Sequence, residues 1–188
     1  SRKLVAPQAM PFAGHLQAFQ QAADELSAFV QGAGVDEPET EVFAVRFSEM
    51  AAALPSVTDG STPAGLVGLL VARPHPDLTT GTGSFYAYRK KGKWAAAAKQ
   101  AGLSKADGDR LNDTASGLYE ACCAAWAALL QVVSGQVLTT LIDEAGTILA
   151  RYREHKRASA QLDFDDLIYA ARDLLRDHET VRQALGQR

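Results

Sequence analysis

The sequence is poor in cysteine and has no long apolar run, and both absences limit what the chain can be. Its two cysteines, Cys122 and Cys123, are adjacent, a placement that rarely forms a disulfide and lacks the C-x2-C spacing of a zinc site. No segment approaches about 18 uninterrupted apolar residues, and the first residues do not resemble a signal peptide. We therefore expect a cytoplasmic protein with reduced thiols and no membrane partner.

The sequence also lacks the residues that hold a nucleotide. A phosphate-binding P-loop reads G-x4-G-K-[ST], because its lysine must reach the outer phosphates and its hydroxyl must hold Mg²⁺. The glycine-rich segment 79–84 is not followed by Lys-Ser or Lys-Thr, and Gly92-Lys93 is followed by Trp94. We interpret residues 73–84, with two prolines and two glycines, as a long loop. The four histidines have no spacing typical of a ligand set or a triad, so we expect no catalytic residue, metal site or cofactor in this chain.

What the sequence does contain is alanine and helical periodicity. Hydrophobic residues make up 47% and charged residues 22% of the chain, which is typical of a folded soluble domain rather than a disordered segment. Apolar residues recur three and four apart from Leu16 to Val30, before Gly32-Ala33-Gly34, and Thr62-Pro63 is suited to begin another helix. These patterns predict an all-α fold.

The longest periodic pattern runs from Leu111 to Val133, close to a heptad repeat, and a second runs from Val137 to Tyr152. Ser134-Gly135 lies between them, so the two patterns fit either an antiparallel hairpin or one broken helix. We expect an irregular helical bundle with a long helical hairpin and one long Pro/Gly loop.

Two basic clusters are candidates for contact with nucleic acid. The first places four cations within residues 89–93, beside aromatic rings, a combination that suits phosphates and stacked bases; the alternative is a solvated loop with core aromatics. The second lies at residues 151–157, where positions 153, 156 and 157 share a helix face, and packing or ion pairing is the alternative. With a net charge of -3, we expect only weak, phosphate-mediated DNA binding. The candidate DNA contacts are Arg89, Lys90, Lys91, Lys93, Trp94, Arg153, Lys156 and Arg157.

Three acidic residues near the C-terminus, Asp163, Asp165 and Asp166, raise the question of a metal or acid–base site. On a helix Asp163 and Asp166 share a face and Asp165 does not, and no second acidic or histidine cluster has a fixed spacing to them. Asp163 is suited to cap a helix that begins there, and the other two favour the positive end of its dipole. We interpret all three as structural.

The segment around these acids resembles a known family. Read from Tyr152 through Lys156 to residues 162–167, it follows Y-x3-K-x5-L-D-F-D-D-L and continues as x2-A-x3-L-L to Leu175. It resembles the segment that precedes the Walker B strand in UvrD/Rep/RecB-like DNA helicases of superfamily 1A, and the alanine-rich region before it looks more like the RecB/AddA branch. The resemblance gives a structural role to Tyr152, Leu162, Asp163, Phe164, Asp165, Asp166 and Leu167.

The resemblance implies that the chain is an internal piece of a larger protein, since the Walker B strand would begin near Arg188. Residues 1–160 would be a helical insertion, called subdomain 1B, and residues 161–188 would lead into the motor core. The parent would be an ATP-dependent DNA helicase/exonuclease of the exonuclease V type, a hydrolase that uses ATP and Mg²⁺ in double-strand break repair and recombination. This piece would guide DNA without catalysis, in contact with the remaining motor domains and a partner subunit.

A stand-alone helical protein-interaction module is the alternative. In that case the stripe through Leu118, Trp126 and Leu129 would bind a partner helix or a second copy, although such stripes are more often a domain's own core. A reading frame that continues past Arg188 into an apolar strand ending in Asp-Glu would favour the helicase instead.

Overall fold

The computed structural model describes residues 12–57, 63–71, 73–159 and 164–186, which are mainly helical. Helices hold 82% of these residues, and the antiparallel bridge between Thr79 and Phe85 is the only β pairing among them. The all-α prediction is confirmed. The helices in the described ranges are α1 (Phe12–Gly32), α2 (Pro38–Val57), α3 (Pro63–Val71), α4 (Lys91–Gln100), α5 (Lys105–Ala158), α6 (Phe164–Asp177) and α7 (Glu179–Gly186).

Local sequence explains where the first helices begin and end. Gly34, just after α1, has a φ of 66°, a left-handed conformation that favours glycine. Pro38 occupies the first turn of α2, where its missing N–H is not needed, and the Thr40 N–H donates a hydrogen bond of 2.7 Å to the Glu37 carboxylate. α3 begins at Pro63, as the sequence predicts.

Residues 73–90 form a non-helical segment between α3 and α4, in agreement with the loop predicted at 73–84. The Thr80 N–H donates to the Ser84 carbonyl at 2.8 Å, and the Tyr86 N–H donates to the Leu78 carbonyl at 2.9 Å. The Tyr119 hydroxyl donates to the Tyr86 carbonyl at 2.9 Å. The first two bonds are within the loop, and the third ties it to α5 just ahead of the first basic cluster.

The predicted hairpin is wrong, because α5 is one helix of 54 residues that passes through Ser134-Gly135 without a break. The Ser134 hydroxyl donates to the Leu130 carbonyl at 2.8 Å, a bond that a helix accommodates. A glycine inside a helix costs only about 1 kcal/mol relative to alanine. The backbone hydrogen bonds of a long helix outweigh that cost, so one Ser-Gly pair does not end it.

By compactness the chain divides into two units, residues 1–138 and 139–188. The first unit has an aromatic core, in which the ring centroids of Phe19 and Trp126 lie 5.2 Å apart and those of Phe47 and Tyr119 lie 5.6 Å apart. A smaller cluster in the same unit surrounds Trp94; its other buried members are Val35, Ala97 and Ala115.

The second unit contains the last part of α5 together with α6 and α7, and its surface is unusually apolar. Among its described residues only Lys156 is buried. The unit starts before residue 161, so it includes part of the helix that the sequence assigns to the insertion. Its exposed large apolar residues are Leu141, Ile142, Ile148, Leu149, Tyr152, Phe164, Leu167, Ile168, Tyr169, Leu174, Leu175 and Leu185.

Candidate nucleic-acid interface

The first basic cluster lies where α4 begins. Lys90 immediately precedes the helix, and Lys91 and Lys93 occupy its first turn, although positive charges at a helix N-terminus oppose the helix dipole. Carboxylates from two other helices compensate. Glu39 of α2 pairs with Lys90 and lies 2.9 Å from the Lys93 Nζ, while the Asp109 Oδ1 of α5 lies 3.6 Å from the Lys91 Nζ. The three lysines therefore tie α4 to its neighbours.

Glu39 is the common partner in this network. The hydrogen bond from Lys90, followed by that from Lys93, lowers the pKa of Glu39 to about 2, and Glu39 raises the pKa of Lys93. The carboxylate is ionised at neutral pH, so a DNA phosphate would have to compete with it for both lysines. Arg89 differs, because its side chain is exposed and forms no hydrogen bond or ion pair found among the described residues.

Trp94, named above as a candidate DNA contact, is a core residue. Its side chain is 0% exposed, its Nε1–H donates to the Tyr88 hydroxyl at 2.7 Å, and its ring centroid lies 5.8 Å from that of Phe29. The same Tyr88 hydroxyl lies 2.7 Å from the Thr40 Oγ1. A ring enclosed in this way cannot stack on a base, so the burial of Trp94 removes it from the set of candidate contacts.

The second basic cluster joins the end of α5 to the start of α6. The Lys156 ammonium pairs with Asp166 and lies 5.1 Å from the centroid of the Tyr152 ring. Lys156 is only 9% exposed, whereas Arg153 and Arg157 on the same stretch of α5 are exposed. Lys156 is thus a structural link between two helices, whereas solvent and ligands can reach the two arginines.

A cleft of about 700 Å³ opens beside this link, which we call the arginine cleft. Four cationic side chains and two carboxylates line it, so positive charge is in excess. The Arg172 guanidinium lies 5.1 Å from the centroid of the Tyr169 ring and donates to Asp173 at 3.0 Å. The lining residues are Arg153, Lys156, Arg157, Asp166, Tyr169, Ala170, Arg172 and Asp173.

Arg172 and Tyr169 are the residues that the sequence reasoning missed. They lie on α6, away from either basic run, and nothing in their own neighbourhood of the sequence indicates a site. One sequence signal could have found them. If Lys156 is assumed to pair with one of the acids at 163–166, α6 must lie beside the end of α5. The sequence allows ion pairing at Lys156 but does not identify the partner.

The residues of the family pattern are placed as follows. α6 begins at Phe164, with Asp165 and Asp166 in its first turn, where carboxylates favour the helix dipole. Phe164 is 74% exposed and Leu167 is also exposed. Leu162 and Asp163, including the predicted capping role of Asp163, lie outside the described residues.

The stripe proposed for a partner helix is part of the core of the first unit. Trp126 and Leu129 are buried, and Leu118 packs against them at partial burial. This surface is not available to a partner, and the interaction-module hypothesis requires another one.

One helix in the described ranges, α5, is long and apolar enough to cross a membrane by length and composition alone. The core helix of a soluble protein meets the same criterion, and part of α5 is such a helix. Cytoplasmic localisation stays a prediction.

No protein-family model matches this chain, no curated protein is significantly similar to it, and no solved structure shares its fold at a significant level.

Proposed function

We propose that this chain is a non-catalytic, DNA-guiding helical piece of a UvrD/Rep/RecB-like superfamily 1A helicase. The observation that carries the proposal is a contact among three residues of the family pattern, in which Lys156 lies over the Tyr152 ring and pairs with Asp166. Lys156 and Asp166 are on different helices, so two residues of the pattern hold those helices together. The three side chains join the end of α5 to α6.

The exposed apolar face of α6 supports the same proposal. Phe164, Leu167, Ile168 and Leu175 fall on one side of this helix and are exposed. Monomeric proteins rarely leave contiguous apolar patches of this kind uncovered. In the proposal this face packs against the remaining motor domains of the parent protein. In the family, the pattern lies just before a strand of that motor.

The parent would be an ATP-dependent DNA helicase/exonuclease of the exonuclease V type, acting with ATP and Mg²⁺ in double-strand break repair. Catalysis is assigned entirely to the rest of that protein and to its partner subunit. The purified chain is therefore expected to hydrolyse no ATP, with or without DNA. Turnover above that of a heat-denatured sample would contradict the assignment.

DNA contact is assigned to the arginine cleft rather than to the lysines at α4. Arg153 and Arg157 are exposed, and Arg172 lines the same cleft, whereas Lys90 and Lys93 share an ionised carboxylate. Guanidinium groups suit phosphates because they donate two parallel hydrogen bonds. Given the net charge of -3, the affinity should be in the non-specific range of about 10⁻⁴ to 10⁻⁶ M.

The test is a fluorescence-anisotropy titration of the purified chain with a fork-shaped DNA at about 50 and 200 mM salt, where phosphate contacts weaken steeply. Arg157→Glu should weaken binding and reduce the salt slope by about 1. Arg110→Glu is the matched control, because it makes the same charge change on α5, at a side chain paired with Asp107 in the first unit.

Each outcome has a clear meaning. Loss of binding in Arg157→Glu but not in Arg110→Glu supports the cleft. If Lys91→Glu weakens DNA binding and Arg157→Glu does not, the contact lies at α4 instead. Equal loss in both variants would indicate a response to net charge alone. No binding at low salt would refute DNA guidance by this piece.

A protein-interaction role is the second candidate, and one observation favours it. The apolar stripe of α5 continues beyond the core of the first unit, where its side chains are exposed. An exposed apolar surface of this kind is suited to bind another protein.

A further inference from the structure

The last part of α5 carries an apolar stripe that the described part of the chain leaves uncovered. Its large members are all more than half exposed, and Ala145 between them is exposed as well. They follow a heptad pattern over four turns of helix, with alternating steps of three and four. The stripe, which we call the α5 apolar face, consists of Leu138, Leu141, Ala145, Ile148 and Tyr152.

Two further apolar residues widen this face on one side only. Ile142 and Leu149 each follow a stripe residue by one position, and both are exposed. On the other side of the stripe the equivalent positions are charged, with Glu144 before Ala145 and Arg151 before Tyr152. The face therefore has an apolar edge and a charged edge.

The charged edge is complementary to the same edge of a second copy that runs in the opposite direction. If two copies of the helix run antiparallel about a two-fold axis between residues 146 and 147, Ala145 packs on Ile148 of the other copy and Leu141 packs on Tyr152. The same register places Glu144 beside Arg151 of the other copy, twice, and Ile142 beside Leu149, also twice. A parallel pairing would instead set Glu144 against Leu149 of the other copy, so the Glu144–Arg151 pairs would not form.

We propose that the α5 apolar face binds a second copy of this chain as an antiparallel helix pair. A partner of different sequence would not require charges arranged with this two-fold symmetry. The pairing uses other residues than the arginine cleft and the apolar face of α6, and it shares only Tyr152 with the contact that supports the helicase proposal, so its test does not depend on that proposal. The face covers only about four turns of one helix, which is smaller than a standard interface of about 800 Å² per partner. The dimer should therefore be weak, and its population should depend on protein concentration.

The test is sedimentation equilibrium of the 188-residue chain from about 5 to about 500 μM, a range that covers weak and moderate dimers. We expect the apparent mass to rise from the 20.0 kDa of the monomer toward twice that value. Glu144→Arg or Arg151→Glu alone should weaken association roughly tenfold or more, because each puts like charges together at both ends.

Charge exchange gives the decisive result. An equimolar mixture of the two single variants should form a heterodimer, and the double variant Glu144→Arg/Arg151→Glu should recover self-association, because opposite charges face each other again in both cases. Ile148→Asp should abolish association in every combination. Thr147→Asp is its matched control, since it adds the same charge at the next position, off the stripe. Circular dichroism checks that each variant keeps its helix content.

Two outcomes would overturn the proposal. A wild-type chain that stays at 20.0 kDa through the whole range has no self-association to explain. A wild-type dimer whose charge-reversed variants are not rescued by mixing is built on another surface or register.

Discussion

Two stretches of α5 have the same apolar spacing but differ in what covers them. In the first unit the stripe packs into an aromatic core, where Leu129 is 0% exposed. In the second unit the stripe continues with Leu141 at 61% exposure. Periodicity alone shows which face of a helix is apolar, and only the surrounding structure decides whether that face is a core or a surface for another molecule.

Truncating one leucine in each stretch should give the largest contrast. Leu129→Ala removes a fully buried side chain and should cost about 2–5 kcal/mol of unfolding free energy, because the core cannot fully close the cavity. Leu141→Ala should change the value by about 0.5 kcal/mol or less in the monomer. Urea unfolding followed by circular dichroism at low protein concentration measures both. Equal costs would mean that the second stretch is covered after all.

Thiol chemistry should separate the same two stretches. Burial raises the pKa of Cys122 to about 12 and that of Cys123 to about 11, so at pH 8 only about 10⁻⁴ and 10⁻³ of these groups are reactive thiolates. A cysteine introduced at Thr147, in the exposed stretch, should react with a disulfide reagent about a hundredfold faster or more. Rapid labelling of the native wild-type chain would show that its core opens readily.

Glycine-to-alanine substitutions probe the first stretch more finely. A Cβ at Gly108 would lie 2.9 Å from the Ala95 Cα and 3.0 Å from the Trp94 carbonyl oxygen. Gly108→Ala should therefore cost about 1–3 kcal/mol by forcing α4 and α5 apart. Gly117→Ala, on the same helix with open space around it, should instead stabilise by up to about 1 kcal/mol. Thermal unfolding of both variants tests this, and stabilisation by both would refute the close approach of the two helices.

The smallest effect is expected from acid. Glu39 has a folded-state pKa of about 2, below its ordinary 4.5. Its ion pairs therefore contribute stability above pH 4.5, and that contribution is lost as the pH falls from 4.5 through 2. The stability difference between wild type and Glu39→Gln should shrink over this interval, as followed by urea unfolding. A difference that does not change with pH would contradict the role of the two lysines.

The all-α class, the loop at 73–84 and the start of α3 at Pro63 could be predicted because local rules determine them. The run from Leu16 to Val30 and the Pro63 signal need no knowledge of distant residues. The hairpin prediction is wrong because it treats one glycine as a helix end. A local pattern contains no measure of how much the flanking helix resists such an interruption.

The candidate site was harder to predict because its determining contacts are distant in sequence. Lys90 and Glu39 are 51 positions apart, so the residues around the lysines gave no sign that they are paired. The assignment of Trp94 fails for the same reason, since residues that enclose it, such as Val35 and Ala115, are distant in sequence. Assignment of DNA contact to Arg153 and Arg157 stays a prediction.

The burial of Trp94 and Trp126 has a spectroscopic consequence. They are the two tryptophans of the chain, and both belong to the first unit, one in each of its two hydrophobic clusters. Intrinsic tryptophan emission is therefore blind to α6 and α7. A melting curve read at these indoles would follow residues 1–138 alone, and any lag between it and the far-ultraviolet signal would report how independently residues 139–188 unfold.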